Sequence, residues 1–198
     1  MVSVYRVLHQ AVAALKRIRR TGWVERGVAA PESVADHSFG VVALTLLRAE
    51  ELCAAGTPVD VVKAIRMAVL HDLAEHETGD LSPRQRRALF GDDGPAARAA
   101  QRAAESRVVR RLLADAPPVV RAAWLAAHAE YCAGATPEAA LVRDADRLEC
   151  VLQAGEYEAA SAPARLIEFH GLAREIGDER LRALLTEGGA ACDADTGA

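Results

Sequence analysis

The segment that most constrains this chain is MAVLHDLAEHETGD, residues 67 to 80. Its apolar positions recur at helical spacing and read as a buried helix, yet it carries His71, Asp72, Glu75 and Asp80. Such a helix is stable only where the fold supplies partners for those groups, because an unpaired buried charge is expensive. On a continuous helix Glu75 follows His71 by four residues and Asp72 by three, so the three side chains converge. A divalent metal is the simplest object to place there.

The rest of the chain also reads as helix. VLHQAVAALKRI (7 to 18) has apolar residues at three and four spacing, and TGWVERGVAAPE forms a loop closed by Pro31. Ser33 is predicted to cap a helix running to about Ala55, with Asp36 at the capping-box position. Beyond Gly56 and Pro58 a helix is predicted through VDVVKAIRMAVLHDLAEHE, stopping at Gly79 and leaving Asp80 on a loop that faces its end. SPRQRRALFGDDGP predicts a short helix and a mobile loop, followed by a helix over 95 to 114 and another opened by Pro117 and Pro118. The helix 136 to 160 carries Asp144 and Asp146, ARLIEFHGLAREI and DERLRALL complete the set, and 188 to 198 is expected to be a disordered tail. With no strand-like alternation, repeat or linker, the expectation is a single all-α domain over residues 1 to 187.

Composition is ordinary for a cytosolic globular domain with a sizeable core: 198 residues, 51% hydrophobic and 26% charged. Cys53, Cys132, Cys150 and Cys192 lack C-x-x-C spacing and read as reduced thiols. No apolar run approaches ~18 residues and no signal-like leader is present, so no membrane span is expected and the cytoplasm is the expected compartment. The net charge of −4 argues against a polynucleotide partner while permitting a small anionic ligand. The local exception is the basic run Lys16, Arg17, Arg19 and Arg20, which reads as a solvated helix end or as a ligand contact.

A His-Asp pair alone is weak evidence: with six His and twelve Asp, about a third of such chains contain one by composition. Context adds to it. His37 lies upstream on one apolar helix, and Asp144 and Asp146 lie downstream on another. Imidazole with carboxylate suits Zn, Mn, Fe or Co and leaves positions for water and substrate. A shared cation also removes the cost of an unpaired Asp on each of two buried faces. His9, His128 and His170 read as satisfied core residues, and His76 as a supporting or exposed one.

The order H…HD…D, set in RTGWVERGVAAPESVADHS (20 to 38), AVLHDLAEHETGDLSP (68 to 83) and LVRDADRLECVLQAGEYE (141 to 158), resembles the HD-domain phosphohydrolase superfamily and, within it, the 5'-deoxynucleotidase family. The resemblance implies an HD-domain helical bundle holding one divalent transition metal on His37, His71, Asp72 and Asp146, with QAGEYE selecting Asp146 over Asp144. A metal that binds both the phosphoryl oxygen and the water offsets the repulsion between a phosphate dianion and hydroxide. Glu75 is then the general acid or base, and Asp80 orients the water or a leaving-group hydroxyl, with the two roles exchangeable. By the same resemblance Trp23 lines the sugar pocket, and Arg20 or a nearby Arg meets the phosphate.

The implied substrate is a (deoxy)nucleoside 5'-monophosphate, with 2'-deoxyribose preferred if Trp23 crowds the 2' position, and the implied assembly is a homodimer. Two departures bear on it: some relatives carry Arg directly before that Trp, where this chain has Gly22, and relatives often carry Lys at the position of Ala140, although Arg143 keeps a second basic position. They suggest a specialised nucleotide or another small phosphomonoester. An HD-type diiron oxygenase needs two more His between Asp72 and Asp146, where only His76 and His128 stand. A non-catalytic nucleotide sensor has no use for Glu75 and Asp80 as proton carriers.

Overall fold

The computed structural model describes residues 3 to 92, 94 to 160 and 166 to 190, with side chains to residue 185. Helices follow one another as α1 (Val4–Leu15), α2 (Thr21–Glu25), α3 (Val34–Ala54), α4 (Val61–Leu70), α5 (Glu75–Thr78), α6 (Pro83–Phe90), α7 (Pro95–Leu112), α8 (Pro118–Ala133), α9 (Pro137–Ala160), α10 (Ile167–His170) and α11 (Glu179–Ala190), with a 3-10 turn at Gly171–Glu175. The described residues contain no strand, only an isolated bridge between Arg19 and Ser33, and the all-α class holds.

Local chemistry opens these helices. Ser33 Oγ accepts from the Asp36 N–H, and the Asp36 carboxylate accepts from the Ser33 N–H at 2.9 Å, a complete capping box at the start of α3. Ser82 and Gln85 do the same for α6, and proline stands in the first turn of α6, α7 and α8. Gly134, at φ +69°, ends α8 in the left-handed conformation that glycine adopts at least cost.

Three helices set the frame: α3, α4 and α9 pack against one another, with α8 and α1 alongside. Their apolar faces meet through Val34, Val41, Met67, Leu70 and Val142, all fully buried. Removing each such side chain from water is worth ~1.5–3 kcal/mol. No helix among the described residues is long and apolar enough to cross a membrane.

Five boundaries differ from expectation. The loop predicted over 21 to 32 contains α2, held at its start by Asp80, and α1 spans Val4–Leu15 rather than 7 to 18. The long helix predicted through 59 to 77 is broken: α4 ends at Leu70, and the chain turns through Leu73 N–H to Leu70 O (3.3 Å) and Glu75 N–H to Asp72 O (3.0 Å) before α5. These three-residue bonds tighten the path, so Glu75 leaves α4's axis. In the stretch predicted as helix over 164 to 176, α10 and the 3-10 turn replace a single helix, residues 164 and 165 lying outside the described part. Of the tail expected from 188, α11 includes residues to Ala190, and 191 to 198 lie outside the described residues.

Candidate active site

The frame brings His37, His71, Asp72 and Asp146 together. His37 sits in the first turn of α3, His71 caps the C-terminus of α4, Asp72 follows in the turn, and Asp146 lies midway along α9. His37 Nε2 is 3.1 Å from Asp146 Oδ1, 3.5 Å from His71 Nε2 and 3.7 Å from Asp72 Oδ2, and His71 Nε2 is 3.2 Å from that same oxygen. Asp144, two residues before Asp146, is turned elsewhere: its carboxylate accepts from the Gly177 and Asp178 backbone N–H groups and pairs with Arg147.

The outer nitrogens decide what the inner ones can do. His71 Nδ1 lies 2.7 Å from the Ala68 carbonyl, to which it donates, and His37 Nδ1 contacts the Glu149 carboxylate. Both Nε2 atoms are therefore left with lone pairs directed at one point that two carboxylates share, an arrangement that repels itself unless a cation or protons occupy it. A divalent metal fits this donor set. Burial and Arg20 pull the His37 pKa down, but the Asp146 and Glu149 carboxylates overcome them and raise it to about 10. Against burial, His71 and Arg20 hold the Asp72 carboxyl well below its ordinary range.

Sequence reasoning missed Glu149 as the partner of His37. The available signal was position: an acid three residues after Asp146 on the same face of a buried helix. Space for it comes from Gly40, where a Cβ would stand 2.9 Å from Glu149 Cγ. The sequence reads Cys150 only as a reduced thiol, yet its sulfur accepts from the Arg20 guanidinium at 3.2 Å and lies 4.0 Å from Asp146.

Beside the cluster opens a cavity of about 230 Å³ that Arg20, Asp72, Glu75, Asp80, Glu105 and Asp146 help to line. Glu75 Oε2 is buried without a hydrogen-bond partner among the described residues. Burial, with Asp72 and Asp80 nearby, pushes its carboxyl well above the usual range, so it is poised to hold a proton. Arg20 donates to Asp72 at 3.2 Å, while Lys16, Arg17 and Arg19 of the same basic run are exposed. Asp80 accepts from the Thr21 N–H at 2.6 Å, tying α2 to the cavity wall.

Trp23 lines a second hollow of about 310 Å³ that shares Arg20, Asp80, Leu81 and Arg86 with the first. The indole is only 1% exposed. Its N–H donates to Glu32 at 2.8 Å, and its rings pack on Phe169 and Tyr157. Gly22 lies under Phe169, whose Cζ would stand 3.0 Å from a Cβ there.

Arg143 packs over Tyr131, and Ala140 is exposed; neither lines either hollow, so the departure at Ala140 carries no argument about substrate contacts. His76 donates to the Leu73 carbonyl and His128 lies beside Cys132; neither belongs to a metal-ligand cluster among the described residues. Of the three histidines read as core, only His128 is buried: His9 is exposed and His170 pairs with Glu158.

Residues 12 to 184 match the model of the HD domain family. The chain is 32% identical over 202 residues to a zebrafish (Danio rerio) protein named 5'-deoxynucleotidase HDDC2, covering 93% of this chain and 92% of that one. Among solved structures it resembles a conserved hypothetical protein of Pyrococcus furiosus (34% identity, TM-score 0.71, 91% of this chain and 96% of that one). A Pyrococcus horikoshii protein is similar at 36% identity and TM-score 0.71, covering 91% and 93%.

Proposed function

This chain belongs to the HD domain family, and we propose that it is a metal-dependent phosphomonoesterase that hydrolyses (deoxy)nucleoside 5'-monophosphates to nucleoside and phosphate. The observation that carries this reading is the convergence of two imidazole lone pairs and two carboxylates beside a buried, unpartnered Glu75 oxygen and the Arg20 guanidinium. The name of the zebrafish relative supports the nucleotide substrate.

In this reading His37, His71, Asp72 and Asp146 hold one divalent transition metal, Co, Mn, Zn or Fe. When bound, such an ion neutralises phosphate charge and brings the pKa of water toward neutrality. Arg20, lining both hollows, meets the phosphate oxygens. Glu75, kept protonated by burial and by Asp72 and Asp80, gives its proton to the departing 5'-oxygen. Asp80 keeps one oxygen on the Thr21 N–H and orients a water or sugar hydroxyl with the rest of its carboxylate. Trp23 and Phe169 wall the second hollow, which supports a preference for 2'-deoxyribose at the shared rim.

The remaining parts of the proposal are a single domain over residues 1 to 187, a cytoplasmic setting and a homodimer. Exposed Phe39, Leu47, Val62 and Val119 support the dimer. Light scattering that gives the 21.0 kDa monomer at micromolar concentration would overturn it.

Metal analysis combined with a phosphate-release screen across nucleoside monophosphates tests the function. One metal per chain with dAMP cleaved faster than AMP is expected. Two irons per chain, or no phosphate from any monophosphate, would refute the reading.

A further inference from the structure

One wall of the first cavity has no part in the chemistry described so far. It is made by α6 and α7, which pack on each other, and it presents Arg86 and Phe90 from the first helix and Gln101 and Glu105 from the second. Gln101 and Glu105 are one helical turn apart, and the Gln101 amide donates to Glu105 Oε1 at 2.8 Å. That bond fixes both side chains. It turns the Gln101 carbonyl and the second Glu105 oxygen into the acceptors this wall can offer.

The Glu105 carboxylate is costly where it stands. It faces a cavity that Asp72, Glu75, Asp80 and Asp146 also line, and burial together with Asp72 keeps its carboxyl above the ordinary range. A phosphate dianion is repelled by it, so it cannot serve that end of a substrate. Nor does it belong to any cluster of three metal-ligating groups among the described residues. What suits a half-buried acceptor pair beside an aromatic ring is a flat group with hydrogen-bond donors on its edge.

We propose that Gln101 and Glu105 read the nucleobase, favouring bases with an exocyclic amino group, namely guanine, adenine and cytosine, over thymine and uracil. This rests on the nucleotidase reading. An amino group donates to these acceptors, whereas thymine and uracil flank their single N3–H with carbonyl oxygens that face the carboxylate unfavourably.

The test uses the full-length metal-loaded protein with dGMP, dAMP, dCMP, dTMP and dUMP. Phosphate release gives kcat/KM for each, and calorimetry on Glu75→Gln protein gives binding without turnover. The wild type should favour the three amino bases by about tenfold or more, in rate and in binding. Glu105→Leu and the shape-preserving Glu105→Gln should each narrow that ratio. Equal kcat/KM and equal binding across the five, or a preference that survives both substitutions, would overturn the inference while leaving the nucleotidase standing. Base-selective binding with no phosphate release would do the reverse.

Discussion

The ligand cluster on α3, α4 and α9 and the rim formed by α2, α5, α6 and α7 enclose the same cavity but are held by different forces. In the cluster, His71 is aimed by the Ala68 carbonyl three residues earlier, and the fully buried His37 is aimed by Glu149 across a packed pair of helices. On the rim, Arg20 is held by Asp72 and Cys150, 52 and 130 residues away, and Asp80 by Thr21, 59 residues away. Packed helices with one polar bond aiming each imidazole thus hold the groups proposed to bind metal, while the proposed substrate-facing groups of the rim rest on polar ties between distant segments, one of which, Arg20 to Asp72, joins the two regions.

The comparison predicts a hierarchy of effects. His71→Ala or Asp72→Ala should lose metal and all turnover above background while the chain stays folded. Each removes a proposed ligand but leaves the apolar faces of α3, α4 and α9 intact. Metal analysis and far-ultraviolet circular dichroism on the same sample check this, and a metal-loaded, active Asp72→Ala would break the distinction at its root. Glu75→Gln comes next. It should keep the metal and lose ~10²- to 10⁴-fold in kcat, the usual worth of a positioned proton donor.

The same contrast explains what the sequence showed. The Ser33 and Asp36 capping box, the extent of α3 and the convergence of His37, His71, Asp72 and Asp146 were legible, because each depends on spacing within one helix or on a motif. The break after Leu70 was not, since the apolar period runs on through Leu73 and Ala74, both buried, while the backbone turns. Nor could composition separate Arg20 from Lys16, Arg17 and Arg19: only a contact with Asp72, distant in sequence, turns one of the four inward. Gln101 and Glu105 lie in an Ala- and Arg-rich helix whose sequence carries no sign of the cavity it faces.

Three intermediate substitutions sharpen the boundary between the regions. Glu149→Gln should weaken metal binding by ~10- to 100-fold, the usual cost of losing a carboxylate that orients a ligating histidine. Gly40→Ala should weaken it in the same direction, because the added methyl would stand 2.9 Å from Glu149 Cγ. Competition with a chromogenic chelator measures both. Asp80→Asn probes the other side: it weakens the tie to the Thr21 N–H and should lower kcat/KM by ~10- to 100-fold through misplaced α2 groups. Metal content should be unchanged, and loss of metal in this variant would mean that rim and cluster are one unit.

The smallest effect concerns stability. Burial raises the Glu105 carboxyl in the folded protein, with Asp72 adding to the shift, so the native state holds this proton more tightly than the unfolded chain does. A group shifted in that direction favours folding at acidic pH, and its contribution falls as pH rises from the ordinary glutamate range through the folded value. Glu105→Gln removes the penalty and should melt higher than wild type at pH 7.5, with the advantage vanishing near pH 4. Melting curves across that range decide the matter. If the variant is instead less stable at pH 7.5, the carboxylate supports the fold, and Glu105 belongs with the core rather than with a rim that gives up stability to recognise substrate.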